Sequence, residues 1–277
     1  MSGDKWIGRA LSQNTKERME DVVAVRILDN GDGLFIVLDG HNGRAAVDFV
    51  AERLPDAILD SIEYKSGEIE KALRSGFRIT EDELLKRLKG DAADSPSSLK
   101  QSDIDLDFPI LTSGVVVCAL LIRNGTIHVA NIGDCRAILC RNEKPFQLTV
   151  DHTISEPTER GRVESLISSE GFVRGLMVTR SMGNVSITSL EKCEGQVADP
   201  AISSFPIDQD LDEFIVISSD GLHEVISNET ATATVLRALK RPSATPERIA
   251  QELVDKAVAR GSTDNICACV VLLKHRP

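Results

Sequence analysis

Short apolar runs separated by turn residues dominate the sequence. The longest, at residues 115–122 and 266–273, fall well short of the roughly 20 residues that a membrane-spanning helix needs. Apolar runs of this length are typical of β-strands that are buried on both faces. Asn124-Gly125 between two such runs is a hairpin signal, so we predict an antiparallel meander over residues 114–149. The predicted strands are 22–27, 34–38, 115–122, 126–132, 136–140, 214–219 and 266–273.

Helical periodicity occupies other parts of the chain. Apolar residues recur at helical spacing over residues 43–62 and again over residues 66–88, which predicts two long helices after the second strand. Ser227 has the side chain of an N-cap for a helix that ends near residue 239. Thr245-Pro246 supplies a cap and a first-turn proline for a last helix that ends near residue 260.

The composition and the distribution of these elements predict one folded unit. Apolar residues make up 42% of the chain and charged residues 27%, a balance that builds a core and keeps a polar surface. The stretch 90–107 is rich in Ser and Asp and is predicted to be an exposed loop. Because strands from both ends of the chain complete one core, we expect residues 1–277 to form a single α+β domain.

The charge balance and the cysteines restrict the partners and the compartment. Asp and Glu number 43 against 32 Lys and Arg, for a net charge of −11, which argues against a nucleic-acid partner. The six cysteines form no C-x-x-C pair, the N-terminus lacks an apolar signal core, and Ser2 stands where myristoylation requires glycine. We therefore expect a monomer in the cytoplasm, or in the nucleus, that binds neither nucleic acid nor a membrane.

Carboxylates stand at the ends of the predicted strands. Asp39 directly follows one strand, Asp220 follows another, and Asp264 comes just before the last strand. If that last strand runs antiparallel to the other two, the three carboxylates meet at one edge of a sheet. Further carboxylates near strand ends, which could join them, are Glu20, Asp21 and Asp134.

Such a cluster indicates a metal site. Carboxylates gathered at a half-buried rim repel one another and resist ionisation unless a cation compensates them. Ligands that are all oxygen favour Mg²⁺ or Mn²⁺ over zinc. A single Asp-Gly after a strand is more often only a turn, but the repetition at several core strands favours the metal site.

A series of short motifs carries a resemblance to a known family. In chain order they are Arg18-Met19-Glu20-Asp21, Asp39-Gly40-His41-Asn42-Gly43, Thr112-Ser113-Gly114, Gly133-Asp134-Cys135-Arg136-Ala137, Asp151-His152, Thr179-Arg180-Ser181-Met182-Gly183, Ser219-Asp220-Gly221-Leu222 and Gly261-Ser262-Thr263-Asp264-Asn265. Each motif alone is weak, but their order and spacing over essentially the whole chain resemble the PP2C-like (PPM family) metal-dependent Ser/Thr protein phosphatases. The resemblance implies a central antiparallel β-sandwich flanked on both sides by helix pairs.

The resemblance also implies a metal centre with two Mn²⁺ or Mg²⁺ ions in a cleft at one end of the sandwich. Asp39 would bridge the two ions, Gly40 would offer its carbonyl, and Asp220 and Asp264 would complete the ligands of one ion. The carboxylates that would act through bound water are Glu20 and Asp21.

The implied activity is the hydrolysis of phosphoserine and phosphothreonine in phosphoprotein substrates. Two neighbouring cations lower the pKa of a shared water, which can then attack the phosphoryl group in line without a covalent phosphoenzyme. His41 resembles the general acid that protonates the departing Ser or Thr oxygen. Considered without the family, His41 is more often a hydrogen-bonded turn residue.

The chain departs from the family pattern near this centre. Lys16 stands where most relatives have an arginine, while Arg18 lies one residue before the methionine, so a substrate phosphate would lose a bidentate contact. Asn184 replaces the usual Asp, and His223 replaces the usual Trp, close to where a weaker third ion is held. The segment 170–176 looks shorter than the family's flap, which could alter substrate choice. The remaining acidic candidates for the third ion are Asp134, Asp220 and Glu224.

Two other functions compete with the metal-dependent phosphatase. The first is an inactive or weakly active PP2C-like pseudophosphatase that acts as a regulatory binding protein. Lys16, Asn184 and Glu224 favour it, and the retained carboxylates Asp39, Asp220 and Asp264 oppose it. The second is a cysteine-dependent phosphatase, because Cys135 and Arg141 have C-x5-R spacing. That spacing needs a phosphate-binding loop, whereas the intervening residues look like a strand. We also interpret Asp29 to Gly33 as a hairpin turn and not as a calcium loop.

Overall fold

Two antiparallel sheets packed face to face form the centre of the molecule. The computed structural model describes residues 6–28, 32–93 and 111–274. The strands are β1 (Ile7–Ser12), β2 (Asp21–Ile27), β3 (Gly33–His41), β4 (Gly114–Arg123), β5 (Thr126–Ile132), β6 (Arg136–Arg141), β7 (Lys144–Gln147), β8 (Met182–Gly183), β9 (Ala201–Pro206), β10 (Asp212–Ser218) and β11 (Ile266–Leu272). One sheet has the order β1-β11-β10-β6-β7, and the other has the order β2-β3-β4-β5-β9 with β8 paired to β4.

Helices cover the outer faces of both sheets. They are α1 (Ala45–Leu59), α2 (Ile62–Lys65), α3 (Ile69–Ala93), α4 (Pro157–Val163), α5 (Asp220–His223), α6 (Asn228–Leu239) and α7 (Pro246–Ala259). Helices α1 and α3 pack on the six-stranded sheet, while α6 and α7 pack on the five-stranded sheet. The predicted α+β class and the sandwich flanked by helix pairs are therefore confirmed.

Strand β3 shows why the apolar runs are uninterrupted. Phe35 and Val37 belong to the core between the two sheets. The alternate residues Leu34, Ile36 and Leu38 belong to the core between this sheet and the helices α1 and α3. Because successive side chains of a strand point to opposite faces, a strand that is covered on both sides needs apolar residues at every position.

The predicted meander is wrong. Strands β4 and β5 form the expected hairpin, but β6 pairs with β7 and β10 in the opposite sheet. The chain changes sheets at Gly133, which has a φ of 83°. A Cβ at this glycine would lie 2.2 Å from Val116 Cγ1, so the crossing requires glycine. Strands buried on both faces carry no sequence signal for the sheet to which they belong.

Other differences concern short elements. The sequence patterns did not predict β1, β9 or α4, and β9 mixes apolar with polar residues and has no fully buried position. Helix α3 continues to Ala93, so the first part of the predicted loop 90–107 is helical. Gly90 is tolerated there at a cost of about 1 kcal/mol relative to alanine. Residues 94–107 lie outside the described residues.

Two further predictions concern the hairpin between β2 and β3 and the lack of a membrane-spanning helix. Strands β2 and β3 pair antiparallel from Asp21 opposite Asp39 to Ile27 opposite Gly33, which is the register of a hairpin. The turn residues 29–31 lie outside the described residues. No helix in the described ranges is both long enough and apolar enough to cross a membrane.

Candidate active site

Carboxylates from both sheets converge at one end of the sandwich. Asp39 lies near the end of β3, Asp220 begins α5 directly after β10, and Asp264 precedes β11. Strand β3 belongs to one sheet, whereas β10 and β11 belong to the other. The three carboxylates thus meet across the sandwich, and the predicted meeting at the edge of a single sheet is wrong in this detail.

The converging residues line a cleft of about 450 Å³. Most of the predicted site residues contribute to its wall. Asp21 is buried behind the wall, and Arg18 and Glu224 do not line the cleft. The lining consists of Lys16, Glu20, Asp39, Gly40, His41, Asn42, Val116, Asp134, Phe172, Gly175, Leu176, Met177, Val178, Asp220, Asp264 and Asn265.

The carboxylates of the cleft raise one another's pKa. Burial, followed by the charges of Asp21, Asp220 and Asp134, raises the pKa of Asp39 well above its usual value. Burial is also the largest cause for Asp21, whose pKa rises to about 7, and for Asp134, whose pKa rises to about 8. The pKa of Asp220 is raised by burial and then by the charge of Asp264. A cluster with these shifts favours any cation that can enter it.

Backbone and hydroxyl groups fix the strand ends around this cluster. The Ser219 hydroxyl donates to Asp21 Oδ2 at 2.6 Å and accepts from the Cys267 amide at 3.0 Å, which ties the ends of β2, β10 and β11 together. Gly221 allows α5 to approach β11 closely, because a Cβ there would lie 2.0 Å from the carbonyl oxygen of Asn265. The sequence patterns did not predict the role of Ser219, since only the fold brings Asp21 to it.

Glu20 is held at the mouth of the cleft by two backbone contacts. The Gly43 amide donates to Glu20 Oε1 at 2.7 Å. The backbone amide of Glu20 donates to Asn265 Oδ1 at 2.7 Å. Gly40 lies against this segment, and a Cβ there would lie 2.8 Å from the carbonyl oxygen of Glu20. The end of β3 therefore needs glycine at position 40 to lie beside Glu20.

Lys16 is a cation on the wall of the cleft. Its Nζ donates to Asp264 Oδ2 at 2.8 Å, and the two side chains are 49% and 36% exposed. Partial burial works against the charge of Lys16, but the hydrogen bond and the charge of Asp264 raise its pKa above the usual value. Arg18 is exposed and does not line the cleft. Lys16 is therefore better placed than Arg18 to meet an anion in the cleft.

His41 points its ring towards Asn184. His41 Nε2 and Asn184 Oδ1 lie 2.9 Å apart. Burial lowers the pKa of His41, and the hydrogen bond to Asn184 works in the opposite direction. The family motifs identified Asn184 as a departure. They did not predict its contact with His41, because the two residues are far apart in the sequence.

The carboxylate oxygens of the cleft are suitable ligands for a divalent cation, although they are not arranged as a complete set of metal ligands. Over the described ranges, no group of three His, Cys, Asp or Glu side chains is arranged to hold a metal ion. Asp220 Oδ1 is buried without a hydrogen-bond partner among the described residues. A buried carboxylate oxygen without a donor is costly, and a hard cation supplies what it lacks.

The geometry does not support a cysteine-dependent phosphatase. Cys135 is fully buried, and burial raises the pKa of its thiol well above the usual value. Arg141 lies at the far end of β6, where its Nε donates to Asp212 Oδ1 at 2.6 Å. Because a strand separates Cys135 from Arg141, the backbone amides between them pair with other strands and do not surround a phosphate.

The flap segment 170–176, together with Met177 and Val178 directly after it, contributes an apolar rim that the sequence patterns did not predict. Phe172, Leu176 and Met177 line the cleft, and Met177 is 65% exposed. These residues follow no helical or alternating period, so no pattern in the sequence marks them. They provide an apolar surface next to the carboxylates.

Comparison with known proteins agrees with this architecture. The family model for protein phosphatase 2C matches residues 11–266, and the chain belongs to this family. "Probable protein phosphatase 2C 69" of Arabidopsis thaliana is 32% identical over 277 residues, which cover 96% of this chain and 69% of that relative. "Probable protein phosphatase 2C 22" of the same plant is 30% identical over 250 residues, which cover 87% of this chain.

The solved structures show the same fold at lower identity. The serine-threonine phosphatase 2C from Toxoplasma gondii superposes with a TM-score of 0.77 at 16% identity, covering 96% of this chain and 94% of that chain. The chain spans 59% and 64% of the length of two curated plant relatives that it matches.

Proposed function

We propose that this protein removes phosphate from phosphoserine and phosphothreonine in phosphoprotein substrates with the help of Mn²⁺ or Mg²⁺. The observation that carries the proposal is the convergence of Asp39, Asp220 and Asp264 in one cleft of a protein phosphatase 2C fold. Burial and then the neighbouring carboxylates raise the pKa of Asp39 and of Asp220, so these groups resist ionisation unless a cation enters the cleft, which supports the proposal.

The residues that would hold two ions are Asp39, the carbonyl of Gly40, Asp220 and Asp264. The ions would polarise the phosphoryl oxygens and supply a nucleophilic water at neutral pH. Glu20 and Asp21 would act through bound water, since the Gly43 amide and the Ser219 hydroxyl already bind their carboxylates. A weaker third ion would lie near Asp134, Asp220 and Glu224.

The side chains of the cleft would bind and protonate the substrate. Lys16 would contact a phosphoryl oxygen through its ammonium group, after release from Asp264. His41 would give a proton to the Ser or Thr oxygen as the P–O bond to that oxygen breaks. The apolar flap around Met177 would contact the residues next to the phosphorylated one.

A phosphopeptide assay with metal titration tests the proposal. We expect phosphate release that rises with Mn²⁺ or Mg²⁺ and disappears with a chelator. Asp39→Asn should lower kcat by at least about a hundredfold while the protein remains folded. Asp255→Asn on the exposed side of α7 is the matched control and should keep its activity. A folded wild-type protein that stays inert on varied phosphopeptides at saturating Mn²⁺ would favour the regulatory pseudophosphatase instead.

We also propose a reducing compartment such as the cytoplasm. All six cysteines are buried and free. Thiols that are kept reduced in a core behave as small apolar side chains, which suits a protein that meets no oxidising compartment. Expression as a fluorescent fusion and imaging would contradict this if the protein appeared in the secretory pathway.

A further inference from the structure

A line of hydrogen bonds leads from His41 through buried side chains to the backbone of Val178, directly after the flap. His41 Nε2 lies 2.9 Å from Asn184 Oδ1, and Asn184 Nδ2 donates to Ser181 Oγ at 2.6 Å. Ser181 Oγ donates to Gln196 Oε1 at 2.9 Å, and Gln196 Nε2 donates to the carbonyl oxygen of Val178 at 2.7 Å. Asn184, Ser181 and Gln196 are all buried, so water does not compete for these contacts.

The last member of this line fixes the direction of every hydrogen bond in it. The Val178 carbonyl can only accept, so the NH₂ group of Gln196 must face it and the Gln196 oxygen must face Ser181. The single hydroxyl hydrogen of Ser181 then points to Gln196, which leaves Ser181 as an acceptor for the NH₂ group of Asn184. The oxygen of Asn184 therefore faces His41, and His41 Nε2 must donate to it.

The backbone of Asn184 is held as firmly as its side chain. Its amide donates to the carbonyl oxygen of Ser113 at 3.2 Å, and its carbonyl accepts from the Cys193 amide at 2.8 Å. Its φ of 57° lies in the left-handed region, which Asn and Asp tolerate better than other residues with a side chain.

The adjoining residue is also fixed. The Gly183 amide donates to Glu81 Oε2 at 2.9 Å, and Lys192 Nζ donates both to Glu81 Oε1 at 2.6 Å and to the Gly183 carbonyl at 2.9 Å. The acceptor that faces His41 therefore stands on a segment that helix α3 holds in place.

We propose that Asn184 is a positioning residue that keeps the proton of neutral His41 on Nε2 and leaves Nδ1 free to face the substrate. Ser181 and Gln196 act with it by fixing the orientation of its amide. An amide oxygen accepts from Nε2 whether His41 is neutral or charged. In the charged form of His41 a second proton sits on Nδ1, and when that proton passes to the leaving Ser or Thr oxygen, the ring becomes neutral with its remaining proton on Nε2 and the contact to Asn184 is unchanged. The role in turnover rests on the proposed function, whereas the proton position does not.

The proton position can be measured directly. ¹⁵N-labelled histidine in the folded protein reports by NMR which ring nitrogen carries the proton, and His41→Gln assigns the signal. We expect the Nε2–H form of His41 in the wild-type protein and in Asn184→Asp, which keeps the acceptor. Asn184→Ala and Gln196→Leu should show a mixture of the two forms. An Nδ1–H form of His41 in the wild-type protein would overturn the inference, whether or not the protein is an active phosphatase.

The choice of leaving group separates positioning from a general loss of structure. A phosphoserine peptide needs protonation of its leaving oxygen, whereas the aryl oxygen of p-nitrophenyl phosphate leaves without it. Since general acid catalysis contributes about 10²–10⁴-fold, Asn184→Ala should lower kcat on the phosphopeptide at least about tenfold more than kcat on the aryl ester, with little change in KM. Asn184→Asp should restore the ratio of the two rates towards that of the wild type.

A buried polar residue elsewhere provides the control. Thr232 on α6 is buried with its hydroxyl unpaired among the described residues, and Thr232→Val should leave the ratio of the two rates unchanged. Equal losses of kcat on both substrates for Asn184→Ala would show a merely structural role and would overturn the proposed positioning.

Discussion

Raising the pH should make the protein depend more strongly on a divalent cation for its stability. Burial is the main reason why the pKa of Asp21 rises from 3.8 to about 7, and why the pKa of Asp134 rises from 3.8 to about 8. Between the ordinary and the raised pKa, such a carboxyl is protonated in the folded protein and ionised in the unfolded chain. The metal-free folded state therefore loses stability as the pH rises through this window.

Asp21 and Asp134 set a lower bound on the size of the effect, because the pKa values of Asp39 and Asp220 are raised as well. Between about pH 6.5 and about pH 8, Asp21 and Asp134 together should lower the unfolding free energy of the metal-free protein by about 2 kcal/mol. A bound cation compensates the ionised carboxylates, so the stabilisation by saturating Mg²⁺ should grow by the same amount, or roughly 30-fold in apparent affinity. Burial lowers the pKa of His152 and of His223 to about 4. These two histidines contribute equally to the unfolding free energy with and without Mg²⁺. Their contribution therefore cancels in the difference between the two conditions.

Urea unfolding followed by circular dichroism provides the assay. The unfolding free energy is measured at both pH values, once with a chelator and once with saturating Mg²⁺. The difference between the two conditions should be larger at the higher pH, and Asp134→Asn should reduce this increase. A metal stabilisation that is equal at both pH values, or larger at the lower one, would refute the electrostatic reasoning.

Three substitutions extend these expectations to single side chains. Gly221→Ala places a Cβ 2.0 Å from the Asn265 carbonyl; it should cost about 3 kcal/mol in urea unfolding and weaken Mn²⁺ binding in calorimetry. Gly161→Ala is its control, because nothing lies within 4 Å of that Cβ. Cys135→Ser should leave turnover of a phosphopeptide essentially unchanged, and inactivation would revive the thiol mechanism. Lys16→Met should raise the KM for a phosphopeptide about tenfold, since it removes a charge-assisted hydrogen bond to phosphate, and an unchanged KM would assign the phosphate contact elsewhere.

Local signals predicted the elements that surround the site. Ser227 accepts from the Thr230 amide at the start of α6, and Thr245 accepts from the Arg248 amide at the start of α7, as their cap positions predicted. Asp39 was predictable as a site residue because a buried strand leads directly into it. Such signals lie within a few residues of the element that they start or end, so the sequence alone reveals them.

The assembly of the site was less predictable, because it depends on contacts between distant parts of the chain. The apolar runs did not show that β3 lies in a different sheet from β10 and β11, since all three are buried on both faces. The contact of His41 with Asn184 and the place of Met177 at the rim likewise depend on tertiary packing. The places of Asp39, Asp220 and Asp264 at strand ends predicted that these carboxylates meet, but not that they meet across two sheets.

The most direct test of the central claim is a crystal structure of the protein grown or soaked with Mn²⁺. Anomalous scattering at the manganese edge locates the ions without reference to activity. We expect two peaks in the cleft, with Asp39 between them and with Asp220 and Asp264 bound to one of the ions. A well-ordered cleft with no anomalous peak beside these carboxylates at saturating Mn²⁺ would contradict the account.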